Sequence, residues 1–215
     1  MAKRLKGKTW YTIFAPTYFE GKEIGVTPAS EPELLVGRRL TIPVTELIGD
    51  MEKYYMKITF RIVRVNGDKA FTDFDGFECM RDYIARMVVR RVRRIDVIQD
   101  EVSKDGKKLR IKTIAIISRK ANRSIEKRIR KRIEEMVREA VSASSMDEFI
   151  KKVISGELKK KIFEEIMKIY PPRHFEFRKI ERLDLQEKLK KISPEKVEEK
   201  KEEGDEGEVK NKSGG

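Results

Sequence analysis

One cysteine, Cys79, and one histidine, His174, stand among 215 residues. The lone thiol excludes an intrachain disulfide framework, and the two together exclude a zinc site built from His and Cys. Long apolar stretches are missing as well. The longest aliphatic runs, such as 114–117 (IAII), are a handful of residues, whereas a membrane-spanning helix needs about 20. No apolar signal segment follows the basic start Lys3, Arg4, Lys6 and Lys8. These absences lead to the expectation of a soluble, intracellular, cytoplasmic protein. Gln and Asn are scarce beside the many Lys and Glu, as in thermophile proteins, where thermally labile amides are depleted.

What is abundant is charge. Charged residues make up 40% of the chain and the net charge is +13, while 39% hydrophobic content still suffices for a packed core. The segment 186–215 is a Lys/Glu-rich stretch of almost no apolar content and is expected to be a disordered tail. It is nearly neutral, so residues 1–185 keep 42 basic against 28 acidic side chains, a net of +14. The body is the cation, and its charge is clustered. Six arginines (81, 86, 90, 91, 93, 94) face only Asp82, and eight basic residues between Arg119 and Arg132 face only Glu126. A basic run usually means a solvated helix face. Two separate runs, a basic N-terminus and the dominance of Arg in the first run point instead to a polyanionic partner.

The predicted organisation is a basic arm at 1–9, a single α+β body at 10–185 and the tail. Within the body, 10–117 reads as β-rich, 118–170 as mainly helical and 173–183 as a return strand. Strands are predicted at 10–15, 38–44 and 54–65, the last with Met56, Ile58, Phe60 and Ile62 on one face. Asn66-Gly67 turns it into a strand at 69–77, and Asp105-Gly106 joins strands at 95–102 and 109–117. Gly21, Gly25, Pro28, Pro32 and Gly37 mark loops. Spacing of Ile84, Met87, Val88 and Val92 predicts an amphipathic helix over 80–94 carrying the six arginines. A second basic helix begins at Ser124, with Ile125, Ile129, Ile133, Met136, Val137 and Ala140 on its apolar face. Ser145 to Glu148 reads as a capping box, Gly156 as its helix end, and Pro171-Pro172 as the stop of a helix over 158–170. The sheet is expected to be antiparallel and barrel-like or curved.

Catalytic patterns are weak. Gly7-Lys8-Thr9 resembles the end of a phosphate-binding loop but lacks the glycine five positions earlier. Asp73 and Asp75 could share a strand face and hold Mg²⁺ in a nuclease, although a solvated or salt-bridged strand face is the favoured reading. His174 is read as a turn residue and Cys79 as a small buried hydrophobe. Trp10, next to the basic arm, is the aromatic singled out for an interface.

Taken in order, WYTIFAP (10–16), IGVTPA (24–29), Gly37-Arg38, LIGD (47–50), FECMRDY (77–83), Arg90-Arg91, Lys104-Asp-Gly106, Ile129-Arg-Lys131 and Ile169-Tyr-Pro171 resemble one family over about residues 10 to 183. It is the archaeal and eukaryotic small-subunit ribosomal protein one family, the protein 3a type, here in its archaeal form. It is distinct from the bacterial protein one with its repeated OB domains. The sequence departs from the family pattern at Phe77, where a His commonly follows the Gly, and at Lys107, where an aromatic commonly follows Asp-Gly. The resemblance implies a non-enzymatic component of the 30S subunit, on its platform near the mRNA exit and the 3′ end of the small-subunit rRNA. The implied partners are that rRNA, neighbouring ribosomal proteins and mRNA near the exit, with no cofactor, membrane or small-molecule substrate.

The expected RNA-binding residues are Lys3, Arg4, Lys6, Lys8 and Trp10 at the arm; Arg38 and Arg39; Arg86, Arg90, Arg91, Arg93 and Arg94; Lys104, Lys107 and Lys108; and Arg119, Lys120, Arg123, Lys127, Arg128, Lys131 and Arg132. Rival readings are a non-resident RNA-binding or ribosome-assembly factor, the Asp73/Asp75 nuclease, and binding to an anionic membrane through the basic helices.

Overall fold

A computed structural model describes residues 7–118 and 120–184, and the expected tail at 186–215 lies outside the described residues. The strands are β1 (Thr9–Phe14), β2 (Glu23–Ala29), β3 (Arg39–Pro43), β4 (Met56–Asn66), β5 (Lys69–Cys79), β6 (Val92–Val102), β7 (Lys108–Ser118) and β8 (Pro172–Arg182). The helices are α1 (Val44–Ile48), α2 (Arg81–Met87), α3 (Arg123–Ala143), α4 (Met146–Ser155) and α5 (Glu157–Ile169). The α+β expectation holds, with strands early, helices late and a strand returning at the end.

All eight strands join one sheet, ordered β2-β1-β5-β8-β7-β6, with β4 pairing both β3 and β5. The sheet is mixed, because β1 runs parallel to β5 over Phe14↔Phe71 and its neighbours while the other pairings are antiparallel. β5 is the branch point. Its whole length pairs with β4, while its opposite edge is shared by β1 at 69–71 and β8 at 76–78. Gly76 permits the second junction: a Cβ there would lie 3.0 Å from the carbonyl oxygen of Ile180.

The turns follow their residues. Gly67, with φ of 56°, opens a two-residue loop closed by Asn66↔Lys69, and Gly106, with φ of 73°, sits in the five-residue loop between β6 and β7. β2 is a strand where loops were expected. Pro28 is compatible with it because β2 lies at the edge of the sheet, where a missing N–H costs no ladder bond.

Strand alternation builds two layers. Leu109, Ile111, Ala115 and Ile117 of β7 join the main core with Ile129, Ile133 and Val137 of α3, Phe149 of α4 and Ile162 of α5. Ile114 and Ile116 point the other way and pack with Cys79 and with Ile84 and Met87 of α2. Three helices therefore cover one face of β6–β8, and α2 covers part of the other. α4 opens on the predicted capping box, Ser145 accepting from the Glu148 N–H and Glu148 accepting from the Ser145 N–H, and ends at Gly156 with φ of 82°.

Two further expectations are corrected. The helix predicted over 80–94 stops at Met87, and residues 92–94 enter β6, where Val92 pairs with Ser118 and Arg94 with Ile116. The waiting edge of β7 outweighs a helical period that valines at 88, 89 and 92 only weakly support. His174 is no turn residue, for it lies exposed in β8 opposite Ile116.

Candidate nucleic-acid interface

The basic runs, separate in sequence, meet at one end of the β6–β7 hairpin. Because Val92 pairs with Ser118, the turn before β6 and the segment after β7 leave the sheet side by side. Arg90 and Arg91 form that turn, and Arg91 adopts a φ of 65°, uncommon for a residue with a side chain. α3 starts at Arg123, and the Arg93 guanidinium donates to the Glu126 carboxylate, tying the beginning of β6 to the first turn of α3. Arg90, Arg91, Lys120, Arg123, Lys127 and Arg128 are exposed and have no carboxylate partner among the described residues. Their side chains are free to meet an anion.

Further along α3 the cations are partly engaged. Lys131 lies 3.9 Å from Glu135, and Arg132 donates to Glu165 of α5 at 2.9 Å. The bond to Glu165 raises the pKa of Arg132, while Lys168 and then Arg132 lower that of Glu165. Exposed Arg130, absent from the expected set, shares this helix. Arg86 is exposed on α2, and Arg94 forms two 2.8 Å bonds to Asp96.

The remaining expected residues lie elsewhere. Arg38 donates to Thr27 Oγ1 and to the carbonyls of Pro28 and Leu34, bracing β2, while Arg39 pairs with Asp75 at 2.9 Å. Lys104, Lys107 and Lys108 mark the closed tip of the β6–β7 hairpin, about 35 Å from its open end for strands of this length. That tip docks on the α3–α4 connection, the Lys104 N–H donating to Ser144 and the Met146 N–H to Asp105. Lys107 shares a shallow cleft with Asp147, whose pKa is raised foremost by burial and pulled back by Lys107. Lys8 is exposed ahead of β1. Trp10 is half-buried opposite Pro28, and its indole N–H is sheltered from solvent. Lys3, Arg4, Lys6 and Arg119 lie outside the described residues.

The catalytic candidates resolve as structural groups. Asp75 is buried between Arg61, 3.0 Å from one carboxylate oxygen and 2.9 Å from the other, and Arg39; Asp73 accepts from Arg182 at 2.5 Å. This is the salt-bridged reading. Cys79 is buried, and burial pushes its thiol up to about 12, so the reactive thiolate is suppressed at neutral pH. Among the described residues no group of three or more His, Cys, Asp or Glu is placed to hold a metal, and no helix is long and apolar enough to cross a membrane.

A second basic feature was not legible in the sequence. Beneath α2, on the face of the sheet away from the three helices, a cleft of about 500 Å³ is lined by Arg81, Arg94, Lys112, Arg178 and Lys179 against one carboxylate, Glu78. Arg81 and Arg94 belong to the first basic run, but Lys112, Arg178 and Lys179 come from two other strands, so only strand pairing reveals the group.

Comparison with known proteins places the chain in a family. A family model described as the Ribosomal S3Ae family matches residues 2–186. Among similar proteins, the small ribosomal subunit protein eS1 of Methanobrevibacter smithii is 38% identical over 171 residues, 80% of this chain and 89% of that protein. The eS1 protein of Methanopyrus kandleri is 39% identical over 183 residues, covering 83% and 87%. That of Sulfurisphaera tokodaii is 37% identical over 174 residues, covering 81% and 90%.

Proposed function

The chain belongs to the Ribosomal S3Ae family, and from that premise we propose that it is a structural constituent of the small ribosomal subunit in the cytoplasm, acting by binding and not by catalysis. Its partners are the small-subunit rRNA and neighbouring ribosomal proteins. Its place is the platform, near the mRNA exit and the 3′ end of the rRNA, where mRNA is a further contact.

The observation that carries the rRNA reading is the convergence of the two basic runs. Arg90, Arg91, Lys120, Arg123, Lys127 and Arg128 crowd one end of the β6–β7 hairpin, where among the described residues Glu126 is engaged by Arg93 and none of the six has a carboxylate partner. Such a cluster is repelled by itself and relieved by phosphates. Arginine forks meet phosphate oxygens bidentately, and phosphate spacing suits recognition of A-form RNA, whose deep major groove side chains cannot read. The N-terminal arm with Lys3, Arg4 and Lys6 adds cations to the same kind of partner.

Replacing Arg90, Arg91, Arg123 and Lys127 together by Gln tests this. These side chains are exposed, so the fold is expected to survive. Association with small-subunit rRNA should weaken at moderate salt, and the log–log salt slope should fall by about 0.7 to 0.9 per lost phosphate contact. Affinity and slope equal to those of the unaltered chain would overturn the assignment.

A further inference from the structure

The cleft beneath α2 breaks a local rule of sheet design. Lys112 of β7 stands directly across from Lys179 of β8, and like charges at opposed positions are destabilising. One carboxylate, Glu181, serves both, accepting from Lys112 at 2.7 Å and from Lys179 at 2.8 Å. The neighbouring pair repeats the shortage. Asp96 holds Arg94 at 2.8 Å and lies 4.0 Å from Arg178. Four cations thus share two carboxylates, Arg81 adds a fifth charge at the rim, and Glu78 is the one further offset in the lining.

The β8 backbone is built to supply that surplus. The register of β8 against β7 shifts between Lys112↔Lys179 and Thr113↔Phe177, leaving Arg178 as the extra, bulged residue. In an unbroken strand Arg178 and Lys179 would point to opposite faces, sending one toward the helix layer. The bulge turns both into the cleft. The facing wall is apolar, made by Ile84 and Ala85 of α2 and the exposed Val88 just past its end. Cations on the floor, an apolar wall and a volume of about 500 Å³ match a phosphate with its sugar and base better than they match a purely anionic peptide side chain.

We propose that this cleft, formed by α2 and the open face of β6, β7 and β8, seats the sugar–phosphate backbone of a single-stranded RNA segment. The proposal rests on the reading of the chain as an rRNA binder and adds a second contact, distinct from the convergent cluster at the hairpin's open end. Violation of a packing rule at a concave, cationic place is where a binding role is expected to outweigh stability.

The test uses the full chain, a fluorescent hexauridylate and its 4-thiouridine analogue. The double variant Lys112→Gln/Lys179→Gln removes the opposed ammoniums, and Arg178→Glu is the second variant. Thermal unfolding of each, measured alongside, should remain cooperative: loss of the pairs to Glu181 is offset by relief of the repulsion between Lys112 and Lys179, and Arg178 gives up one pair, 4.0 Å from Asp96. Hexauridylate should bind the double variant about tenfold or more weakly, as loss of charge-assisted contacts requires, and 4-thiouridine photocrosslinks should map to residues 81–88. Unchanged affinity in both variants, crosslinks confined to 120–131, or equal displacement by hexaglutamate would each overturn the cleft assignment. If the cleft variants are silent while the Arg90/Arg91/Arg123/Lys127 set weakens rRNA association, the proposed function stands and the cleft falls. The reverse result leaves the cleft standing and removes the convergent cluster.

Discussion

Asp75 carries a carboxylate into the body of the sheet, and two arginines meet it there. Arg61 is as buried as Asp75 itself, so the pair is sealed from water, while Arg39 closes the open side. Removing the carboxylate leaves a guanidinium buried without a counter-charge, the costly case for an interior ion pair. Asp75→Ala is expected to lower the unfolding free energy by about 3 to 5 kcal/mol, measured by urea denaturation; a loss below about 1 kcal/mol, the scale of an exposed pair, would show that Arg61 finds solvent. The acidic motif was visible in the sequence, and so was the salt-bridged reading. Its partners were not, since Arg61 and Arg182 lie 14 and 109 positions from the aspartates they meet. Gly76 beside it is similar: the glycine is legible, but the approach of Ile180 that demands it belongs to a strand a hundred residues later.

Elements whose signals are local match their prediction. The α3 stripe of Ile129, Ile133 and Val137 is buried as its spacing requires, and α4 starts at its capping box. Ser145→Ala is expected to cost about 1 kcal/mol, read from the shift in urea midpoint, with no change in the slope of the transition. A shift well under half that would mean that Asp105, which accepts from the next N–H at Met146, caps the helix alone. Elements decided by competition were less legible. The chain from 88 to 94 has a helical period, but pairing with Ile116–Ser118 draws 92–94 into β6. As a result Arg86 stays on α2, Arg90 and Arg91 form a turn, and Arg93 and Arg94 stand on a strand. β2 was hidden by Gly25 and Pro28, residues that signal loops unless the strand is at an edge.

For the whole molecule the decisive strand is β8. It is the last described element of the sheet, yet it is inserted between β5 and β7, with Phe175, Phe177 and Ile180 in the main core. A chain ending at residue 170 would leave β7 unpaired along the long edge 109–117, and β5 at 76–78, a template for aggregation. Such a chain is expected to show no cooperative thermal transition, checked by calorimetry, whereas a sharp transition near that of the full chain would mean that β8 is dispensable. The same insertion creates the candidate cleft, because only with β8 in place do Arg178 and Lys179 lie beside Lys112. The sequence by itself determined the α+β class, the excess positive charge, its two local runs, the amphipathic faces and the resemblance to a ribosomal family. Each of these depends on residues within a few turns of one another or on their order along the chain. Tertiary structure alone decided that the two runs meet at one end of a hairpin, that the aspartates are neutralised, and that scattered cations of four elements line one concavity. These depend on strand pairing across many tens of residues, where the register of a single bulge sets which way a charge points.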